Sequence, residues 1–587
     1  MLYALTIRSP VAKGRLRSVE SGKLPEGCML IRAWDIPGRN RLENTFIPIL
    51  ANRDLSYIGE PVALLLGPDK SVLEECSKTC RVVADEETPV FTVDDAGGSR
   101  IAASREISAG DPDAAFANAA SVVNGNYTTG IQEHWYAEPT GAVAWLKHND
   151  GPGAKESLFN EKSVVVSTAT QWPYHVKHSV SQALGLPSFS VLVEPALTGL
   201  HMDGKLWYPS LIACHAALGA WITKKPVRLL LTRQEDFSFS PKRFGTEINI
   251  ASAHDEKGKL TGLEVKARVN LGAFEVNENE ILDQLYLGCM EIYKTDNIRF
   301  SGAAVKTNIP PQGPFAGFGL AEGFFSMERH VSHIADTNGL DPAEWRKDNY
   351  PALIKETVSG VQLIDTTQGM SDYKRKWASY ELLRQHRRQN NTKDPSKEDP
   401  WTKKGEILRG IGLSLGCQGS GLLRTGFDSG YGVELVFDKD NSLVIKTSIV
   451  SFRGNYEAVW AGIASEILKI ETDKITIHSD CWPDSGPSTM SRNITVLTSL
   501  VEQACIDINQ QRPDAPLPIT VRKTEQPPVA SADSKAGINS FAQFGWASAV
   551  VEVEIDPVEF LPKIRGVWLG VPGADQLFER RNPRAAV

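Results

Sequence analysis

The sequence predicts an α+β protein built from several units, on three observations. Residues 1–92 alternate strand-like and helix-like runs. A strand-to-helix unit, "SVVVSTATQWPYHVKHSVSQALG", and a long amphipathic helix, "EGFFSMERHVSHIADTNG", follow further along. Past residue 431 the pattern turns to period-two alternation with hairpin signals. A length of 587 residues leaves room for about four domains, and no short tandem repeat is present.

Each element has a local cause. "PVALLLG" (61–67) is a short apolar run suited to a buried strand. In "SVLEECSKTC", Ser71 and Glu74 have the spacing of a capping box and predict a helix. "GGS" marks a boundary near residue 97. In "GDPDAAFANAA", Asp111 is placed to cap a helix with Pro112 at its first position. Ser163 to Ser167 is a β-branched strand. After Pro173, the residues Val176, Val180, Ala183 and Leu184 form one helical stripe, stopped by Gly185. Gln171 therefore sits where a strand ends and a helix begins, a common place for ligands. Phe324, Met327, Val331 and Ile334 share a helix face that Gly339 ends, and Asp341-Pro342 starts another helix. From about 372 to 406 the chain is polar, a helix followed by an exposed linker. Val433, Leu435 and Phe437, then Leu443, Ile445, Thr447 and Ile449, alternate on either side of a "DKDN" turn, and "AVVEVEIDP" alternates again.

Composition narrows the function. The net charge of −8 and the absence of a basic stripe argue against a nucleic-acid partner. The eight cysteines are scattered, with only Cys76 and Cys80 close. That spacing fits no iron–sulfur cluster and suits a reducing compartment. "MLYALTIRSPVAKGR" lacks the pattern of a signal peptide, and "LIACHAALGAWI" is too short to span a bilayer, so the chain reads as cytoplasmic.

Four loops rich in glycine or serine stand out: "GLHMDGK" (199–205), "FAGFG" (315–319), "CQGSG" (417–421) and "DSGPSTMSRN" (484–493). None is a phosphate loop or dinucleotide fingerprint. Singly each reads as a turn. Together they suggest a large anionic cofactor held by backbone N–H groups and hydroxyls. "FAGFG" lies within "TNIPPQGPFAGFGLAE", whose centre has no side chain able to do chemistry, so it reads either as a binding loop or as a tight turn. In "IQEHWYAEP", His134 stands between Glu133 and Trp135 and reads either as an acid–base or metal group or as a satisfied interior residue. His175 and His178 lack a carboxylate partner at helical spacing.

"IGEPVALLL", "GDPDAAFANA", "QEHWYAEP", "STATQWPYHVKHSVSQALGLP", "KKPVRLLLTRQEDF", "KTNIPPQGPFAGFG", "DPAEWRKDN", "DSGPSTMSRN" and "VVEVEIDP" occur in that order. Over nearly the whole chain they resemble the molybdopterin-binding large subunit of the xanthine dehydrogenase / aldehyde oxidase family of molybdenum hydroxylases. The resemblance implies a hammerhead-type α/β domain at 1–97 and a first molybdopterin-binding region at 98–355. A helical, polar linker at 356–406 and a second such region at 407–587, shortened at its end, would follow. It implies hydroxylation of a heterocycle or aldehyde with water. It also implies a molybdenum–molybdopterin cofactor in the cytosine dinucleotide form, and partner subunits carrying [2Fe–2S] clusters and FAD.

By the same resemblance Gln171, Phe315, Gly317, Phe318, Gly319, Ser488, Ser491 and Asn493 would contact the cofactor. The matches are uneven. Ala316 stands where the family often has arginine, and Leu206 where some members have glutamate. The family's glycine loop is reduced to Gly199-Leu200-His201-Met202-Asp203-Gly204-Lys205, and its Gly-Gln-Gly loop to Arg453-Gly454-Asn455. No glutamate takes the role of catalytic base, and no protein ligand to a metal is assigned. A non-catalytic scaffold, or one half of a split enzyme, is the competing expectation.

Overall fold

The computed structural model describes residues 1–147, 163–200, 202–290, 292–293, 295–349, 408–422, 431–450, 456–479, 483–525, 541–556 and 558–570. The polar linker expected at 356–406 and the Arg453–Asn455 segment lie outside these residues. Helices and strands alternate over five sheets, the α+β class that the sequence predicts.

The largest sheet has seven strands, in the order Val191–Pro195, Ser163–Thr168, Gly141–Lys147, Val227–Leu230, Leu2–Arg8, Pro61–Gly67 and Met29–Arg32. Leu2–Arg8 pairs in parallel with Val227–Leu230 and antiparallel with Pro61–Gly67. Strands from both sides of residue 97 thus share one hydrogen-bonded layer. Pro61–Gly67 is buried at every position, as its unbroken apolar run requires. The helices Pro173–Leu184 and Tyr208–Thr223 share a core with this sheet. Tyr208–Thr223 is apolar nearly all round and correspondingly buried from Tyr208 to Ala220.

A five-stranded sheet orders Ile101–Ala109, Ile298–Lys306, Leu260–Gly272, Thr246–His254 and Ser121–Thr129. Helices Glu278–Met290 and Leu320–Asn338 pack on it and cross each other closely. Glycine makes that crossing possible: a Cβ on Gly323 would stand 2.8 Å from the Gly288 Cα. A four-stranded sheet, Ile475–His478, Leu443–Lys446, Tyr431–Phe437 and Ile519–Glu525, shares a third core with helices Tyr456–Leu468 and Val496–Gln511. Glu328 ties the helix Leu320–Asn338 to the strand Leu408–Leu422, which belongs to a further, three-stranded sheet. Its carboxylate receives the Arg346 Nε at 2.9 Å, the Leu415 N–H at 2.9 Å and the Tyr293 hydroxyl, all buried.

Most local expectations hold. Asp111 caps the helix Pro112–Ala117 by accepting from the Ala114 N–H at 3.0 Å. Gly185 and Gly339 end their helices in the left-handed conformation. The "DKDN" hairpin joins Tyr431–Phe437 to Leu443–Lys446. Two readings need correction. The helix Lys70–Thr79 is capped by Asp69, not Ser71, because the Asp69 carboxylate reaches both the Ser71 and Val72 N–H groups. "CQGSG" is not a loop; it lies inside the strand Leu408–Leu422, paired with Phe541–Ile555. Among the described residues, no helix is long and apolar enough to cross a membrane.

Candidate functional site

Gln171 follows the strand Ser163–Thr168 and precedes the helix Pro173–Leu184, as the β-branched run and Pro173 dictate. It is completely buried. Its backbone N–H donates to the Lys205 carbonyl at 2.8 Å, and its own carbonyl accepts from the Ser488 N–H at 2.8 Å. The side-chain Nε2 donates to Asp203 Oδ1 at 3.0 Å and to the Ser488 carbonyl at 2.9 Å. The Tyr136 hydroxyl donates to Oε1 at 3.4 Å. Three segments far apart in sequence, around residues 171, 203 and 488, are thereby stitched together.

Next to this network is a cavity of about 20 Å³, lined by Trp172, His175, Leu206, Trp207, Val276, Asn277, Phe318, Pro487 and Thr489. Phe318 is buried with φ +59°. Phe315 packs on the His134 ring, stacked at 4.6 Å, and under the Arg243 guanidinium at 4.1 Å. Arg243 also donates to the Ala316 carbonyl at 3.2 Å and pairs with Glu322 at 2.7 Å, with little exposure on either side. The Phe315–Gly319 loop is thus clamped by an arginine, although none stands at position 316.

The glycines of that loop differ in purpose. Gly317 has φ +92° but open space around it, so backbone conformation alone calls for glycine. A Cβ on Gly319 would meet the Ile281 carbonyl at 2.5 Å, so Gly319 serves the packing of helix Glu278–Met290. The Ser488 hydroxyl accepts from Asn493 Nδ2 at 3.2 Å, while Asn493 Oδ1 has no partner. Ser491 is exposed and left-handed, with φ +56°. The structure brings Gln171, Phe318 and the chain at Ser488 to one place. Phe315 lies beside them against His134, and Ser491 is at the exposed edge of the 484–493 loop.

His134 is a satisfied interior residue. Its Nε2 meets the Pro314 carbonyl at 3.0 Å, and burial pushes the ring down to about 4. His175 is held between Ser210 Oγ at 2.7 Å and the Glu43 carbonyl at 3.1 Å, and burial again lowers it to about 4. Among the described residues, no group of three His, Cys, Asp or Glu side chains is placed to hold a metal ion. Lys205 is buried, pairs with Glu138 at 2.6 Å and lies over the Tyr136 ring at 4.4 Å. Tyr136 and Arg243 went unnoticed in the sequence, since each acts on a partner tens of residues away and neither sits in a glycine loop. Asp203 was visible only as a departure from glycine.

Two family models match this chain, each a molybdopterin cofactor-binding domain, over residues 93–350 and 383–515. The chain belongs to the molybdopterin-binding xanthine dehydrogenase / aldehyde oxidase family. Aldehyde oxidase 2 of Macaca fascicularis is 24% identical over 515 residues, covering 85% of this chain and 35% of that protein. The nicotinate dehydrogenase large molybdopterin subunit of Eubacterium barkeri is 26% identical over 384 residues, covering 63% of this chain and 87% of that one. The fold likeness extends further. Quinoline 2-oxidoreductase from Pseudomonas putida 86 superposes on 97% of this chain and 79% of its own, with TM-score 0.80 at 18% identity. The aldehyde oxidoreductase from Desulfovibrio desulfuricans does so over 97% and 65%, with TM-score 0.81 at 18% identity. The chain spans about a third or less of the first curated relatives, at 35%, 26% and 32% of their lengths.

Whether these residues fit the family's cofactor can be tested on the structure. The Asn493 Oδ1 acceptor, unpartnered in the 484–493 loop, suits a polar ligand. The Gln171 end does not fit. Every hydrogen-bonding group of Gln171 is taken by the chain itself, and the adjoining cavity has room for about one water molecule. A metal-bearing group at this end would have to displace side chains that already satisfy one another.

Proposed function

We propose that this chain is the molybdopterin-binding subunit of a molybdenum hydroxylase, an oxidoreductase that hydroxylates a heterocycle or an aldehyde with oxygen from water. The observation that carries this is the hydrogen bonding of Gln171 to Ser488 beside a cavity that Phe318 lines, from segments more than a hundred residues apart, within a chain of this family. In this reading Ser488, Ser491 and Asn493 hold the anionic part of the cofactor, in its cytosine dinucleotide form. Gln171, Phe315, Gly317, Phe318 and Gly319 flank it. The chain works with partner subunits, as the large-subunit name of the Eubacterium relative suggests; in this reading they carry [2Fe–2S] clusters and FAD, and the assembly is cytoplasmic. Ala316 and Leu206 stand where the family often has charged side chains, so in this reading a typical xanthine-like specificity is not expected. Purified from a host that makes the cofactor, the protein with its partners should carry molybdenum and pterin in equal amounts. Elemental analysis finding neither would reject this reading.

A second reading, a non-catalytic scaffold that keeps the fold and docks electron-transfer partners, is favoured by the saturation of Gln171. It predicts a stable complex with the partner subunits and no molybdenum.

A further inference from the structure

The mismatch at Gln171 has an identifiable author in the chain, Asp203. This residue stands at φ +66°, a left-handed conformation that favours glycine, and is nearly fully buried. Its carboxylate takes one of the two hydrogen bonds given by Gln171 Nε2, at 3.0 Å. The same turn delivers the Gly204 N–H to the Tyr136 hydroxyl at 3.1 Å, and Tyr136 in turn donates to Gln171 Oε1. Lys205 completes the lock by pairing with Glu138, which also accepts from the Gly199 N–H at 3.0 Å. With glycine at 203, the backbone would be relaxed and one Gln171 N–H would be released.

We infer that Asp203 is an internal plug: its carboxylate engages the Gln171 amide and closes the polar end of the site against an incoming group. The inference deepens the molybdopterin reading and rests on it. Asp203 here is a positioning residue. It acts by holding Gln171 turned inward and touches no reacting atom.

The test uses the full chain, expressed in a host that makes the cofactor, and reads molybdenum and pterin per chain together with the unfolding temperature. Asp203→Gly suits the left-handed backbone, so the fold should survive, and its molybdenum content should rise several-fold over the native chain. Asp203→Asn keeps an oxygen acceptor for Gln171 and should load as the native chain does. Asp203→Ala and Gln171→Ala should each lower the unfolding temperature by a few degrees, and the double variant should fall no further than the worse single one. A native chain already carrying molybdenum near one per chain would overturn the plug and leave the proposed function standing. If no variant carries molybdenum, the proposed function falls and the plug, which rests on it, falls with it. Additive losses with equal loading in all variants would overturn the inference.

Discussion

The Phe315–Gly319 loop and the Asp203–Leu206 turn meet the same cavity, through Phe318 and Leu206, yet opposite means hold them. The first is fixed by faces: Phe315 stacks on His134 and lies under Arg243, and Gly319 abuts a helix backbone. The second is fixed by a chain of polar groups running from Asp203 through Gln171 and Tyr136, and by the Lys205–Glu138 pair. Stacking tolerates small displacements, because aromatic pairs are favourable over a broad range of offsets and centroid separations, about 4.5–7 Å. A buried polar chain does not, since each unmade hydrogen bond leaves a desolvated group. The stacked loop should therefore weaken in steps, and the polar turn should fail as a unit.

The largest effect is expected where the stacked loop depends on charge. Arg243→Met leaves the Glu322 carboxylate buried without its guanidinium, and about 3–5 kcal/mol of stability should be lost. Adding Glu322→Gln should restore a substantial part. Denaturant unfolding followed by tryptophan fluorescence would measure both, and a loss below about 1 kcal/mol would mean that the clamp is ornamental.

Next comes pH, since His134 touches both regions, stacked on Phe315 at 4.6 Å and on Tyr136 at 5.6 Å. Burial lowers its folded value to about 4. The unfolded chain therefore binds more protons between about 6.5 and 4, and stability is lost as pH falls through that window. It is fully present above about 6.5. The loss at the acid end should reach about 3 kcal/mol, and His134→Gln should flatten the profile. Asp203 works in the opposite sense. Burial raises its carboxyl to about 6, so the folded form takes up its proton first, and falling pH between about 6 and 3.8 favours the fold. Asp203→Asn should steepen the acid loss. Stability measured at a series of pH values would separate the two.

A smaller contrast separates the two glycines. Gly319→Ala drives a Cβ to 2.5 Å from the Ile281 carbonyl, an overpacking worth about 1–3 kcal/mol. Gly317→Ala meets nothing closer than 3.6 Å and should lose only the left-handed preference, about 1–2 kcal/mol. Equal losses would erase the distinction drawn between them. Smallest of all, Ser488→Ala removes the acceptor for Asn493 Nδ2 and should lower stability by about 0.5–1.5 kcal/mol, read from the same unfolding curves.

Local signals in the sequence carried much of this molecule. The β-branched run before Gln171 and the proline after it define the strand and helix that position that residue, and Gly185 and Gly339 mark their helix ends. These effects act within a few residues, so a pattern can register them. The contents of the site were less legible. Nothing near Phe315 announces Arg243, which arrives from an isolated β-bridge far earlier in the chain. "CQGSG" carries loop-like composition, but pairing with Phe541–Ile555 makes it a strand. The Asp69 cap was missed because Ser71 and Glu74 offered a stronger pattern two residues later. The role of Asp203 needed coordinates, since the partner of its carboxylate lies 32 residues earlier in the chain.

The strand Leu2–Arg8 has a consequence for the order of events during synthesis. It sits inside the seven-stranded sheet, and its parallel neighbour Val227–Leu230 is made roughly 220 residues later. At roughly 5–20 residues per second, the ribosome needs on the order of tens of seconds to supply that neighbour. Meanwhile the strand can pair with Pro61–Gly67, leaving its other edge exposed and apolar. Any factor that shields nascent strand edges should bind this protein most strongly in that interval, before Val227 emerges, and release it once the sheet can close.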